Sequence, residues 1–315
     1  MPVMKASGVA YGRLAAPDLD QMEEFLTDFG MVRSARTPTA LYMRGTGVDG
    51  HLHVTHLGEP RFIGIAFTAA SVDDLKALSK LTGSTGIEHL DEPGGGQRVR
   101  LTEPNGYQVE VIHGRQLLEP IPTKRQEVNS TRSPLNRKGE VMRVPAGPSR
   151  PHRIGHVVMG SPKMPETLQW FRSTLGLICS DEIYAGDKSN LIGSFNRLDR
   201  GDEYVDHHAF FCVQSHIAGM NHFSFEVQDI DDVFVGHEYL AKKGKYEHMW
   251  GIGRHILGSQ VFDYWADPWG RIHEHWSDTD RLNAQSPANM VSAEDGLNSQ
   301  WGDPVPQAFI DRICP

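Results

Sequence analysis

The sequence predicts an α+β fold built from two βαβββ-type modules side by side. Three internal matches, in the same order in both halves of the 315-residue chain, carry that prediction. The stretch APDLDQMEEFLTDFGM at 16–31 resembles SPKMPETLQWFRSTLGL at 161–177. IAFTAASVDDLKAL at 65–78 resembles FSFEVQDIDDVFVGHEYL at 223–240, and TEPNGYQVEVIHG at 102–114 resembles ADPWGRIHEHWSD at 266–278. The period of about 150 residues is far longer than that of stacked solenoid repeats, so it denotes a duplicated module.

Each element follows from a local pattern. The first match runs from a proline-containing turn through apolar positions at helical spacing, ending at Phe25, Gly30 and Met31 in one half and Phe171, Gly176 and Leu177 in the other. That is an amphipathic helix stopped by glycine. The second is an alternating strand followed by Asp-Asp and another apolar-periodic helix. The third is a Pro-x-Gly turn feeding a last strand. Residues 116–150, rich in Pro, Ser and basic side chains and without periodicity, read as a linker. Periodicity is lost again over 286–315, which reads as an extension wrapped on the surface. The expected division is therefore 1–115, 116–150, 151–285 and 286–315.

Bulk composition narrows the classes of function. With 39% hydrophobic and 23% charged residues, the chain has material for a soluble core. A net charge of −9 argues against nucleic acid as partner, because phosphate binding needs clustered Lys and Arg. No apolar run is long enough for a membrane span, and the start MPVMKASGVAYGRLA has no apolar signal core. Cys179, Cys212 and Cys314 are scattered and form neither a disulfide framework nor a CxxC pattern, which suits the cytoplasm. Five of the sixteen histidines precede residue 150 and eleven lie between His152 and His275. Imidazole chemistry is thus expected in the second half.

In RIHEHWSD, Glu274 stands between two histidines, and a buried carboxylate there is costly unless something cationic is near. Aligning the halves places Glu110 opposite Glu274, Tyr11 opposite His156 and Gly64 opposite His222. One module carries His, His and Glu on its first, middle and last strands; the other keeps only the carboxylate. Side chains two residues apart share a strand face, so His156 is expected beside Ile154 and Val158, and His222 beside Ser224, with Phe223 and Phe225 toward the core. By the same rule His273 and His275 point away from Glu274. Two neutral imidazoles and one carboxylate with positions left open form the facial arrangement of non-haem Fe(II) oxygenases. The candidate metal ligands are therefore His156, His222 and Glu274.

With these residues in view, the chain resembles a type I extradiol ring-cleavage dioxygenase of the vicinal oxygen chelate superfamily, over roughly 8–114 and 152–280. IGHVV, DHHAFF, MNHFSFEV, GRHILGSQVFDYWADPWG and GRIHEHWSD occur in that family's order, with nine residues from His255 to Tyr264 and ten from Tyr264 to Glu274. The resemblance implies paired βαβββ units curling into a half-open barrel, a non-catalytic N-terminal module and a metal-bearing C-terminal one. It implies Fe(II), with Mn(II) as the alternative, and a substituted monocyclic diol, trihydroxytoluene- or dihydroxycumate-like, as substrate with dioxygen. It also implies that His208 is an acid/base and that His255 and Tyr264 hydrogen-bond the chelated diol. A homo-oligomer is expected. Val158 departs from relatives that carry a polar group there. His207 is expected to share a strand with His208 and to face the other way in a structural role. A redox-neutral glyoxalase-like isomerase or lyase and a metal-free binding protein are the competing functions, and oxygen uptake on adding a catechol separates the first reading from both.

Overall fold

Four βαβββ units follow one another along the chain. The first comprises strand Gly8–Ala16, helix Leu19–Asp28 and strands Val32–Arg36, Ala40–Arg44 and His53–Leu57; the second comprises Arg61–Thr68, helix Val72–Leu78, Glu88–His89, Gln97–Thr102 and Gln108–His113. The third runs from Arg153–Ser161 through helix Met164–Leu175 to Ile178–Tyr184, Leu191–Arg197 and Phe210–Gln214, with the short strand Val205–Asp206 inserted before the last. The fourth runs from Gly219–Glu226 through helix Ile230–Lys243 to His248–His255, Val261–Ala266 and Ile272–Ser277. This computed structural model describes residues 1–124, 127–131 and 137–315. The linker expected over 116–150 lies outside the described residues at 125–126 and 132–136. Among the described residues no helix is long and apolar enough to cross a membrane.

The helices begin and end where their sequences dictate. Asp18 accepts from the backbone N–H groups of Asp20 and Gln21, Ser71 and Asp74 form a reciprocal capping box, and Asp229 accepts from the N–H of Asp232. Gly176 (φ 70°) and Gly244 (φ 62°) close two helices in the left-handed region, where a side chain would be strained. Met22, Phe25 and Leu26 form the buried stripe of the first helix, and Leu168, Phe171 and Leu175 that of the third.

The units pair into an eight-stranded and a ten-stranded sheet whose central registers agree. In the first, Tyr11 lies opposite Ala66, which neighbours Glu110. In the second, His156 lies opposite Ser224, which neighbours Glu274. Gly64 stands two residues before Ala66, as His222 stands two before Ser224. The alignment made from sequence is therefore the hydrogen-bonded alignment.

Two bulges refine it. Pairing slips between Ser224/Phe225 and between Met220/His222, so Gly155 and Asn221 are extra residues in their strands. The first slip turns Ile154 to the core face with Val157, Phe223 and Phe225, so only Val158 accompanies His156 as expected. Gly155 is required there because a Cβ would stand 2.4 Å from the Trp276 ring.

The two sheets share one core. A Cβ on Gly12 would lie 2.2 Å from the Phe223 ring, which records how closely the modules approach. His273 and His275 point into this interface. His275 stacks on Phe29 (ring centroids 3.6 Å) and donates from Nε2 to the Phe29 carbonyl (2.8 Å). His273 donates from Nδ1 to the Arg271 carbonyl (3.1 Å), and its Nε2 meets Nε2 of His53 at 3.2 Å. Both imidazoles are fully buried, and burial pushes His275 down to about 4 and His273 to about 3. They are neutral hydrogen-bonding parts of the interface.

The 286–315 segment, expected to wrap on the surface, is mostly exposed or half-buried and carries short strands at both edges of the second sheet. Asn289–Ser292 adds a parallel edge strand beside Ile178–Tyr184, Ser299–Trp301 pairs with Arg254–His255 at the other edge, and Cys314 bridges Met220. Pieces of three or four residues are too short to show a period, which is why the sequence reads as structureless.

Two outcomes follow from this packing. Gly12→Val should destabilise the protein by about 1–3 kcal/mol through overpacking, read as a lower denaturant midpoint at unchanged slope. The depressed folded-state values of His275 and His273 mean that the unfolded chain binds protons more readily, so their contribution is complete above about 6.5 and is lost on acidification. Stability should drop by about 3 kcal/mol between pH 7 and pH 4 from His275 alone, and a flat profile over that interval would contradict neutral burial.

Candidate metal centre

Three adjacent strands deliver His156, His222 and Glu274 to one point. Nε2 of His156 lies 3.1 Å and Nε2 of His222 lies 3.6 Å from Oε2 of Glu274, and one ligand atom from each residue falls within 4.8 Å of the other two. All three side chains are buried, Glu274 completely. Ser224 donates its hydroxyl to Oε2, while Oε1 of Glu274 and Nε2 of His222 have no hydrogen-bond partner. Among the described residues only imidazoles form ion pairs with Glu274.

The protonation states suit a cation. Burial pushes His222 down to about 3, so its imidazole is neutral at pH 7. Burial would raise Glu274, but the imidazoles of His156, His255 and His222 that face it outweigh burial and hold the carboxyl well below its ordinary range. Metal ligands must be deprotonated, and Glu274 and His222 are. Asn221, at the second bulge, supplies the orientation. Its Oδ1 accepts from Nδ1 of His222 at 2.6 Å, and its amide is anchored by the carbonyls of Phe309 (3.1 Å) and Arg312 (3.0 Å). With the proton on Nδ1, the Nε2 lone pair faces the Glu274 oxygen. Orphaned buried donor atoms, a fixed tautomer and an ionised carboxylate fit a divalent transition metal held by two nitrogens and one oxygen.

The equivalent position of the N-terminal module meets the same cost differently. Tyr11 donates its hydroxyl to Glu110, and Arg13 places Nε 2.7 Å from Oε1 of Glu110 and Nη2 2.6 Å from Glu92. Arg13 lies opposite Gly64, just as Val158 lies opposite His222. A guanidinium thus occupies the place of the missing imidazole, and Glu110 stays ionised because that charge outweighs its burial.

A cavity of about 120 Å³ opens over the three residues, room for one aromatic ring. His156, His208, His222, His255 and Tyr264 line it together, with Glu274 fully buried behind them. The His208 ring lies 4.0 Å from that of His156, and burial holds its imidazole well below the ordinary value. Nε2 of His255, the last residue of its strand, meets the Tyr264 hydroxyl at 2.8 Å, and burial keeps that phenol protonated. All six residues named from sequence therefore meet at one site.

Other residues at the site escaped the sequence reading. His207 does not face away from His208. Both sit outside regular strands, between Val205–Asp206 and Phe210–Gln214, where side-chain alternation does not apply. Their Nδ1 atoms lie 3.1 Å apart, and Nε2 of His207 meets Asp181 at 2.6 Å. Gln260 is buried with neither side-chain polar atom hydrogen-bonded. Leu297, Val305, Phe309 and Ile310 form a wall from the C-terminal segment, and of the tryptophans only Trp250 lines the cavity.

Comparisons with known proteins give the family and the fold. Residues 153–272 match the model of the Glyoxalase/Bleomycin resistance protein/Dioxygenase superfamily. Metapyrocatechase 2 of Cupriavidus necator is 30% identical over 301 residues, covering 94% of this chain and 89% of that protein. Among solved structures, the Mn(II)-bound glyoxalase from Novosphingobium aromaticivorans superposes with a TM-score of 0.77 at 22% identity, covering 96% and 94% of the two chains. The anaerobic complex of homoprotocatechuate 2,3-dioxygenase from Brevibacterium fuscum with 3,4-dihydroxyphenylacetate superposes with a TM-score of 0.80 at 17% identity, covering 99% and 94%.

Proposed function

Because this chain belongs to the two-module extradiol ring-cleavage dioxygenases of the vicinal oxygen chelate superfamily, we propose that it opens an uncharged, substituted monocyclic catechol with dioxygen at His156, His222 and Glu274, holding Fe(II). Mn(II) is the alternative ion. The observation that carries this reading is the fully buried Glu274 carboxylate, facing unpaired imidazole nitrogen at the floor of a cavity and paired with no Lys or Arg among the described residues. A divalent ion bound there lowers the pKa of a diol hydroxyl and gives electrons a path to dioxygen.

The remaining work falls to side chains around the cavity. His207 donates from Nε2 to Asp181, so its Nδ1 accepts from Nδ1–H of His208 when both rings are neutral. Nε2 of His208 is then the basic nitrogen. It takes a proton from the diol and returns it to an oxygen that gains charge later. Tyr264, kept protonated by burial, donates its hydroxyl toward such an oxygen, with His255 orienting it. The apolar wall excludes water.

Cavity chemistry also addresses the ring substituent. Among the described residues no Lys or Arg lines it, and Gln260 supplies uncharged hydrogen-bonding capacity. A trihydroxytoluene-like ring suits this lining. A dihydroxycumate-like carboxylate would be buried without a cation, at a cost of several kcal/mol. The glyoxalase-like reading asks for ligands from the N-terminal module, where Tyr11 and Gly64 stand in place of the two histidines and Glu110 is paired with Arg13.

Iron-loaded, anaerobically purified protein should take up oxygen and form a yellow ring-fission product on addition of catechol; inertness with both iron and manganese would overturn the proposal. Glu274→Gln should lose bound iron. His208→Phe should keep iron but lose about 10²–10⁴-fold in kcat, and wild-type turnover in the fully metallated variant would remove its acid/base role. Methyl-substituted catechol should exceed a carboxylated catechol in kcat/KM by at least about 100-fold, the equivalent of burying one unpaired charge.

A further inference from the structure

We propose that His237, His248 and Asp263 form a second metal site, for a borderline divalent ion such as Zn(II), on the sheet face opposite the first centre. Along strand Val261–Ala266 successive side chains alternate. Tyr264 reaches the cavity, while Asp263 and Trp265 reach the other face, toward helix Ile230–Lys243. That helix contributes His237, and His248 opens the neighbouring antiparallel strand, where it pairs with Trp265.

The donor atoms already converge. Oδ1 of Asp263 lies 3.1 Å from Nδ1 of His237 and 2.8 Å from Nε2 of His248, and the three ligand atoms fall within 4.8 Å of one another. An ion at about 2.0–2.1 Å from each donor in a tetrahedral site separates its ligands by about 3.3 Å, close to this spacing. Oδ2 accepts the Trp265 indole N–H at 2.5 Å, which fixes the carboxylate plane and leaves Oδ1 for the ion. Asp263 is completely buried, and its ion-pair partners among the described residues are these two imidazoles and no Lys or Arg. The imidazoles are 28% and 32% exposed, so an ion and a completing water reach the site from solvent. Two nitrogens, one carboxylate oxygen and one water suit zinc better than the oxygen-rich shells of calcium or magnesium. Bound there, the ion ties the helix to the two strands it covers, one peptide unit from Tyr264.

Equilibrium dialysis of the iron-loaded full-length protein against Zn(II), followed by metal analysis, tests this. Wild type should retain one more zinc per chain than either His237→Gln or His248→Gln, whatever the zinc content of the first centre, and equal zinc in all three proteins would overturn the proposal. Where a variant does not fold, a protection measurement on the wild type decides. Zinc should protect His237 and His248 together from carbethoxylation by diethyl pyrocarbonate, mapped by mass spectrometry. Unchanged labelling of both would overturn it.

Discussion

The centre of this protein is governed by one electrostatic constraint: a carboxylate taken fully out of water must be matched by positive charge. The duplicated chain meets it in two ways at equivalent strand positions. In the N-terminal module the charge is covalent, because Arg13 reaches Glu110 at 2.7 Å and a second contact to Glu92 anchors the guanidinium. In the C-terminal module the position equivalent to Arg13 is Val158, and imidazoles take the place of guanidinium. Neutral imidazoles supply lone pairs rather than charge, so the proposed centre would draw its positive charge from a bound ion. Exchanging Arg13 for Val158, Gly64 for His222 and Tyr11 for His156 is thus the physical difference between a closed ion-pair network and the proposed open coordination site.

Placement of that site depends on the alternation of a single strand. In Ile272–Ser277, Glu274 faces the cavity side while His273 and His275 face the N-terminal module, where Phe29 and His53 receive them, with Phe225 of their own module stacked on His273. The shared core therefore holds the strand that carries the carboxylate from behind. The same two-sidedness recurs one strand away, with Tyr264 on the cavity side and Asp263 on the helix side. Irregularities contribute as much as regularity does. The slip at Gly155 separates Ile154 from His156, and the slip at Asn221 places an amide beside His222 that sets its tautomer. Bulges next to a site re-aim side chains in this way.

Legibility in the sequence followed physical period. Helices with a strong apolar stripe and caps, strands bounded by glycine and proline turns, and the repeat itself were readable, because each is encoded within a window of ten to twenty residues. His156, His222 and Glu274 were readable because an internal duplication provides a comparison and strand alternation assigns faces. Ile154 was misplaced because a bulge changes parity without altering composition. His207 was misplaced because the rule of alternation was applied to a stretch that is not a strand. Gln260 and the wall formed by Phe309 and Ile310 had no local signal, since the cavity they line is assembled from several segments of the chain.

The sequence by itself determined the fold class and the class of enzyme, and it named the candidate ligand set and the module proposed to bear it. These rest on local periodicity and on residue identity, which survive without coordinates. Tertiary structure alone decided which nitrogen of each imidazole faces the carboxylate, that no Lys or Arg among the described residues lines the cavity, and that the last thirty residues close one wall. It alone brought His237, His248 and Asp263 within bonding reach of one ion. Such features depend on distances between segments remote in the chain, and packing, not local pattern, sets those distances.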